Sequence, residues 1–311
     1  MSANGLISKY IALTLLWFFS VVMTSCAWAN VYSLPADGGR LIGRIQHHEV
    51  QKGEYFKTIA DHYNIGILEL MESNPGVDPF LPTPGTELMI PTQMLIPDVV
   101  RKGVVINLAE LRLYYFPKHQ REVHVFPIGI GKIGWDTPEM TTTISSRIEN
   151  PTWTPPKSIR KAYLEEKGIV LPPVVPAGPD NPLGNHALRL AYGYGSYLIH
   201  GTNKDFGIGM RVSSGCVRLN PKDIAWLFEQ TRRGEPVRII NRTIKISAEP
   251  NGEKWIEVHS PLSETENDSQ VQKALKLTSD IVRFISDADI DNQKANDALL
   301  SQRGLPVNIR W

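Results

Sequence analysis

The spacing of apolar residues changes from a helical to a strand pattern near residues 91–101, and that change limits the possible folds more than any other feature. Before it, residues 56–63 carry apolar side chains at i, i+3, i+4 and i+7, the stripe of an amphipathic helix. After it, the apolar runs 104–108 and 111–116 flank a short turn, the pattern of a β-hairpin. A proline-bounded linker therefore separates a small helical unit from a strand-rich one.

The unit before the linker, residues 47–91, is predicted to have the order strand, helix, helix, strand. Residues 49–50 and 88–90 predict the two strands, and residues 56–63 and 67–71 predict the two helices. The residues before this unit are expected to form only an extended lead-in.

The strand-rich unit, residues 99–241, continues with predicted strands at 123–130, 197–200 and 236–240. A helix is predicted to begin at Asn220-Pro221, because Asn favours the N-cap and Pro the first helical position. Within this unit, residues 150–184 are rich in proline, which excludes central strands and long helices. We expect this excursion to be a lid or binding loop.

The C-terminal extension, residues 242–311, becomes polar beyond Pro261. Residues 263–270 predict a loop, and residues 271–286 and 290–302 predict helices. The triplet of aspartates between these helices is similar to the start of a calcium loop. The required Gly and Glu are replaced by Asn292 and Ala298, so the interpretation is a solvated helix junction.

The first 29 residues have the pattern of a secretory signal peptide. Residues 11–22 are almost wholly apolar, and Ala27-Trp28-Ala29 is an A-x-A cleavage site, which predicts a mature chain beginning near Asn30. The apolar run is short for a membrane span. The alternative is a lipoprotein acylated at Cys26, since residues 23–26 loosely resemble a lipoprotein processing site.

The charge and cysteine content narrow the function. The formal net charge is +1, and removing the leader takes away Lys9 alone, which leaves no basic excess for nucleic acid or for an anionic membrane. Only two cysteines are present, Cys26 and Cys216. If Cys26 leaves with the leader, Cys216 is an unpaired thiol in an exported protein, and such a thiol is either buried or reactive.

The segment 197–224, YLIHGTNKDFGIGMRVSSGCVRLNPKDI, concentrates residue types that a thiol nucleophile needs. His200 at a strand end is a candidate base that takes the proton of Cys216 to give a thiolate–imidazolium pair, which requires a lowered thiol pKa. Gly215 permits a turn whose N–H groups face one way, as an oxyanion requires. Arg218 adds a cation suited to a carboxylate. Each feature alone is more often structural, but together they favour catalysis.

Two resemblances fit these units. Residues 47–91, with QKGEYFKTIA, NPGVDP and PGTELMIP, resemble a LysM module, which binds the glycan of peptidoglycan or chitin. HGT at 200–202 and SSGCVR at 213–218 resemble the double motif of the L,D-transpeptidases, the YkuD-domain family. The segments VFPIGIGKIGWDTPEMTTTI, PTWTPP and LPPVVPAGPDNPLG resemble the enterobacterial branch that attaches Braun lipoprotein to peptidoglycan. The implied fold class is α+β, a β-rich catalytic domain preceded by a small βααβ LysM domain.

The resemblance implies the roles of the site residues. Cys216 forms a thioester with the diaminopimelate of a tetrapeptide stem, D-Ala leaves, and His200 acts as base. A backbone carbonyl of Gly201 or Thr202 orients His200, and the N–H groups of Ser214, Gly215 and Cys216 form the oxyanion hole. Many family members have His in place of Ser214, which puts acceptor handling in question. Arg218 and Tyr197 are the candidates for substrate binding, and packing in the core or at the rim of the cleft is the alternative for Tyr197. The resemblance also implies Trp153 as a candidate lid residue.

The acceptor stays open at this point. The Braun lipoprotein branch implies the C-terminal lysine amine of an outer-membrane lipoprotein, in the periplasm. A second diaminopimelate, giving a 3→3 cross-link, and water, giving L,D-carboxypeptidase action, are the alternatives. A non-catalytic wall-binding scaffold is the alternative of another class. The family resemblance implies acylation of Cys216 by carbapenems, and it implies neither a metal nor a cofactor.

Overall fold

The computed structural model describes residues 30–204, 206–265 and 273–311. The predicted signal peptide, residues 1–29, and Cys26 lie outside this range. The described chain is a mixed α/β, strand-rich structure with six α-helices. None of these helices is both long and apolar enough to cross a membrane.

The N-terminal module has the predicted order of strand, helix, helix and strand. Its elements are β3 (Gln46–Glu49), α1 (Phe56–Tyr63), α2 (Ile67–Ser73) and β4 (Glu87–Ile90). The two strands pair antiparallel, and α1 buries its predicted stripe against them. The strand predicted at residues 49–50 in fact covers four residues ending at Glu49, because its pairing with β4 begins at Gln46.

A nine-stranded mixed sheet forms the centre of the second unit. Its strands are β1 (Asn30–Ser33), β6 (Gly103–Asn107), β7 (Arg112–Phe116), β8 (Glu122–Pro127), β10 (Met140–Glu149), β11 (His186–Leu190), β12 (Leu198–His200), β14 (Val217–Arg218) and β15 (Pro236–Ile240). Their order in the sheet is β1, β8, β7, β6, β15, β10, β11, β12 and β14. The predicted hairpin is confirmed as the β6–β7 pair. A separate short pair joins β9 (Ile130–Gly131) to β13 (Arg211–Ser213).

The two faces of this sheet are covered differently. Helix α4 (Pro221–Gln230), with the predicted Pro at its start, packs its apolar side into the main core on one face. The other face is covered by β2 (Leu41–Gly43) and β5 (Gln93–Leu95), which pair antiparallel. The lead-in and the linker are therefore built into the fold, because their alternate apolar residues complete a second core.

The proline-rich excursion contains a helix that the sequence did not predict. Helix α3 (Lys157–Lys167) begins after Pro156 and ends at Gly168, whose φ is +65°. The expectation was that proline excludes central strands and long helices from 150–184. Helix α3, of 11 residues, forms within this range where residues 157–171 are free of proline. Trp153 pairs with Val175 across the base of this excursion.

The C-terminal extension is a small α/β domain with its own core. It contains β16 (Ile244–Ala248), β17 (Lys254–Val258), β18 (Val307–Asn308), α5 (Ser279–Ile285) and α6 (Asn292–Ser301). The helix predicted from residue 271 is wrong over 273–278. There the chain is irregular, and the Thr278 hydroxyl accepts from Ile281 N–H at the start of α5. At the predicted helix junction, Asp291 caps α6 and Lys254 pairs with Asp287 and Asp289.

Candidate active site

The edge of the large sheet brings the two motif segments together. Strands β12 and β14 run parallel, and His200 is the register partner of Arg218. Paired residues in adjacent strands have side chains on the same face, and so do residues two apart in one strand. Cys216 directly precedes β14, so the sheet places its thiol on the side of His200 and Arg218.

The His200 imidazole is buried and oriented by the backbone. Its Nδ1 lies 2.6 Å from the carbonyl oxygen of Gly201, so Nδ1–H donates and the lone pair of the neutral ring is on Nε2. Burial, followed by the positive charge of Arg218, lowers the pKa of His200 to about 4, against a smaller opposing effect of the Gly201 and Leu183 carbonyls. The ring is therefore neutral at physiological pH.

The Cys216 thiol is half-buried, and its Sγ lies 3.8 Å from the carbonyl oxygen of Ser196. Burial raises the pKa of this thiol, although the N–H of Leu198 and the charge of Arg218 act in the opposite direction. The lowered thiol pKa expected from the sequence is therefore wrong for this structure. The resting pair is a neutral thiol with a neutral imidazole, because burial disfavours both charged forms.

The turn that carries the nucleophile is fixed by two hydroxyl groups. Ser213 Oγ donates to the Cys216 carbonyl at 2.5 Å, and Thr137 Oγ1 donates to the Gly215 carbonyl at 3.0 Å. Thr137 Oγ1 also accepts from the N–H of Gly131 at 3.0 Å. Gly215 has φ of +99°, which L side chains rarely adopt. Thr137 was missed by sequence reasoning, because nothing near it in sequence signals a contact with residue 215.

The backbone N–H groups of Ser214, Gly215 and Cys216 have no hydrogen-bond partner within the described part of the chain. With both carbonyls of this turn held by hydroxyls, these donors remain available for a ligand. The predicted residue Thr202 is buried, and its hydroxyl accepts from the N–H of Lys204. Thr202 thus shapes the loop that follows His200.

Arg218 lies beside both reactive groups. Its charge lowers the pKa of His200 and of Cys216, and burial lowers its own pKa. The Nε of Arg218 is buried without a hydrogen-bond partner among the described residues. An unsatisfied guanidinium N–H next to the thiol suits a substrate carboxylate.

Tyr197 packs behind the nucleophile turn. Its ring lies against Gly215, since a methyl group added at Gly215 would lie 3.2 Å from Cε1 of Tyr197. The ring centroid of Tyr197 is 5.7 Å from that of Tyr192. The ring also contacts the main core. The Tyr197 ring therefore supports the nucleophile turn by packing both against it and against the main core.

The described residues hold one group of side chains with metal-ligand spacing, Glu110, Glu257 and His259, and it lies away from the motif. The ammonium of Lys245 lies 2.8 Å from both carboxylates, and Arg112 pairs with them as well. The cation position is thus filled by the protein's own side chains, so these donors do not fit a metal ion.

Comparison with known families matches all three parts of the chain. Residues 48–91 match the LysM domain, residues 101–239 match the YkuD family, described as the L,D-transpeptidase catalytic domain, and residues 243–309 match the L,D-transpeptidase C-terminal domain. The expected resemblance is confirmed, and the C-terminal extension has a family of its own.

Three proteins of Escherichia coli strain K12 are similar over nearly their whole length. The probable L,D-transpeptidase YcfS is 50% identical over 294 residues, 94% of this chain and 92% of that protein. The probable L,D-transpeptidase YbiS is 45% identical, covering 94% and 96%. The probable L,D-transpeptidase ErfK/SrfK is 44% identical, covering 90% and 91%.

Proposed function

Because this chain belongs to the L,D-transpeptidase family, we propose that Cys216 is the nucleophile of an acyl transfer on peptidoglycan stem peptides. The observation that carries this proposal is the register of β12 and β14. It places an unpaired thiol on the same side as a buried imidazole, whose Nδ1 is taken by the Gly201 carbonyl.

The first half-reaction acylates the enzyme. The Cys216 Sγ attacks the carbonyl at the L-centre of diaminopimelate in a tetrapeptide stem while Nε2 of His200 takes the thiol proton. The N–H groups of Ser214, Gly215 and Cys216 stabilise the oxyanion. The C–N bond to D-Ala then breaks, the imidazolium returns the proton to the leaving amine, and a thioester remains.

The second half-reaction transfers the acyl group to an amine. Neutral His200 accepts a proton from the attacking amine, a C–N bond forms and the C–S bond breaks. The imidazolium then protonates the leaving thiolate, which restores the thiol and the neutral imidazole. A neutral Cys216 thiol and a neutral His200 imidazole suit these two half-reactions, since each begins with an imidazole that is able to accept a proton.

The acceptor that we propose is the C-terminal lysine amine of an outer-membrane lipoprotein. The support for it is the resemblance of the segments around 125–184 to the lipoprotein-attaching branch. We place this activity in the periplasm after cleavage of the leader, with the LysM module binding the glycan. Arg218 binds a carboxylate of the stem peptide, and Tyr197 holds the nucleophile turn.

The test is mass spectrometry of peptidoglycan digests from cells that lack L,D-transpeptidases and express either this protein or its Cys216→Ala variant. A lysine-bearing lipoprotein remnant on diaminopimelate, present only with the wild type, is the expected product. A 3→3 dimer or a tripeptide stem would keep Cys216 as nucleophile but change the acceptor. If cells expressing the wild type contain no product that is missing with Cys216→Ala, a wall-binding scaffold is favoured instead.

A further inference from the structure

The loop between His200 and Cys216 rests directly on the LysM module. Gly209 in this loop and Gly66 at the start of α2 are both buried, and their backbones touch. A methyl group added at Gly209 would lie 2.6 Å from the N atom of Ile67 and closer still to the Cα of Gly66. The N–H of Leu68 donates to the Gly209 carbonyl at 3.4 Å.

From Gly209 a continuous set of backbone contacts leads to the nucleophile. Gly209 N–H donates to Ile128 O at 3.0 Å, and Lys132 N–H donates to Ser213 O at 2.9 Å. Between these two points, β13 pairs with β9. The Ser213 hydroxyl then holds the Cys216 carbonyl. A shift of Gly209 is therefore transmitted to the turn that carries the thiol.

The same loop also limits the space around the guanidinium group of Arg218. A methyl group at Gly207 would lie 3.0 Å from Nη1 of Arg218 and 2.7 Å from Cγ2 of Val212. The backbone at Gly207 thus lies between the LysM contact and the guanidinium. Movement of the loop would displace the proposed carboxylate ligand together with the nucleophile.

The LysM side of this contact is fixed by buried charges. Gly66 N–H donates to the Glu69 carboxylate, which pairs with Arg112 of β7 in the large sheet. Near the other end of α2, Glu72 pairs with His259 at 2.9 Å and accepts from Ser260 N–H at 2.6 Å, both in the C-terminal domain. Helix α2 is clamped by both other domains and cannot follow a displaced loop.

We propose that Gly66 of the LysM module is a positioning residue for the catalytic segment 206–216, so that the module acts in acyl transfer as well as in glycan attachment. This inference rests on the proposed function of Cys216. A module that only tethered the enzyme would need no fitted backbone contact with the active-site loop. Here two glycines meet without space for a side chain, and packed interiors transmit such small displacements.

The test compares alanine variants of glycines with and without this contact. Gly66 has φ of −75°, so Gly66→Ala brings no backbone strain and only places a methyl group 3.2 Å from the Cα of Gly209. Gly209→Ala is the more severe variant, at φ of +69°. The controls are Gly76→Ala in the LysM module and Gly234→Ala after α4, both at positive φ with open space around them.

The assay is D-Ala release from a soluble disaccharide tetrapeptide in the presence of a lysine amine as acceptor, so that the thioester turns over. Melting temperature and binding to insoluble peptidoglycan are measured in parallel. We expect Gly66→Ala to lower kcat by about tenfold to a hundredfold, as a misplacement of a fraction of an ångström to about 1 Å does. Its binding to peptidoglycan should match that of the wild type. Its melting temperature should not fall below that of Gly76→Ala, which carries the backbone strain of an alanine at positive φ. Should Gly209→Ala fail to fold, the milder Gly66→Ala still decides.

Two other results have different meanings. A kcat of Gly66→Ala within twofold of the Gly76→Ala value would overturn the positioning role, whatever its effect on peptidoglycan binding. A wild-type protein without Cys216-dependent D-Ala release would instead overturn the proposed function, since the positioning comparison is then never reached.

Discussion

Burial of Cys216 and His200 controls the proton balance at the residue scale. The pKa of the thiol is raised and that of the imidazole is lowered to about 4, both mainly by burial. Charge separation in the resting site is therefore disfavoured. We expect the rate of Cys216 alkylation by iodoacetamide to keep rising above pH 9, later than for a free cysteine. A thiolate plateau near pH 7 would contradict the neutral pair.

The charge of Arg218 provides a second prediction at this scale. Because this cation helps to lower the pKa of His200, Arg218→Gln should move the acid limb of kcat/KM from about pH 4 towards higher pH. Arg218→Lys retains the charge and should leave that limb nearly unchanged. Both variants lose the planar fork and should raise KM by about tenfold or more. Equal acid limbs in the two variants would exclude this electrostatic effect.

Thr137 provides a third prediction. Thr137→Val keeps the shape but removes the hydroxyl that joins Gly131 N–H to the Gly215 carbonyl. Leaving these buried groups unpaired should cost about 1–3 kcal/mol in the free energy of unfolding and should lower kcat. Thr142→Val is the matched control, since the buried Thr142 hydroxyl has no partner among the described residues. Urea unfolding and D-Ala release of both variants check this; equal losses would contradict it.

At the scale of elements, α3 behaves as an attachment to the fold. None of its residues is buried. Leu164 within the helix is 53% exposed, and Val170 just after it is 80% exposed. The excursion is closed at its base by Trp153 and Val175, whose N–H and carbonyl groups exchange bonds of 2.9 and 2.7 Å. These contacts keep the two ends of the excursion together without α3.

The fourth prediction concerns the removal of α3. Replacing residues 154–174 by an Asn-Gly turn should leave the melting temperature nearly unchanged. Pro155 is the only buried residue in this range, and it belongs to none of the hydrophobic cores. If the excursion is a lid, its removal should raise the share of hydrolysis over transfer to an amine, since lids exclude water. Mass spectrometry of tripeptide and amine-linked products measures that ratio. A large loss of stability, or an unchanged ratio, would contradict this role.

At the scale of the whole molecule, one buried network of charges joins the three domains. Glu69 and Glu72 come from the LysM module, Glu110 and Arg112 from the large sheet, and Lys245, Glu257 and His259 from the C-terminal domain. Buried ion pairs are costly to break on one side, because the remaining partner keeps its charge in a dry site. The three domains are therefore expected to unfold together.

The fifth prediction uses His259 in this network. Although burial acts in the opposite direction, Glu72 and Glu257 raise the pKa of His259 from 6.5 to about 9. Between these values the folded protein binds the proton and the unfolded chain releases it, so stability is lost as pH rises from 6.5 to 9. The loss attributable to this group is at most about 3 kcal/mol.

The measurement is urea unfolding at pH 6.5 and pH 9 for the wild type and for His259→Gln. The wild type should lose more stability than the variant over this interval, because only the wild type has the linked proton. If the stability of the variant depends on pH as that of the wild type does, the proton on His259 is not the cause of the loss of stability.

The sequence by itself determined the elements whose signals are local. The helix at 56–63, the hairpin and the start of α4 follow from spacing and capping over a few residues. The motifs HGT and SSGCVR, with the flanking resemblances, were sufficient to indicate the family. Helix α3 was missed because the proline content of the whole excursion hid the proline-free run 157–171. At residues 273–278 the helical pattern was present, but the chain is irregular there.

Only the tertiary structure decided how the site works. The register of β12 with β14 places residues 200 and 216 on the same side of the sheet edge, and burial sets the direction of both pKa shifts. The contacts of Thr137 with Gly215 and of Gly66 with Gly209 join residues far apart in sequence. Residue type fixes which groups can react. Solvent exclusion and contact distances arise only when the chain is packed, and they determine the protonation and the position of these reactive groups.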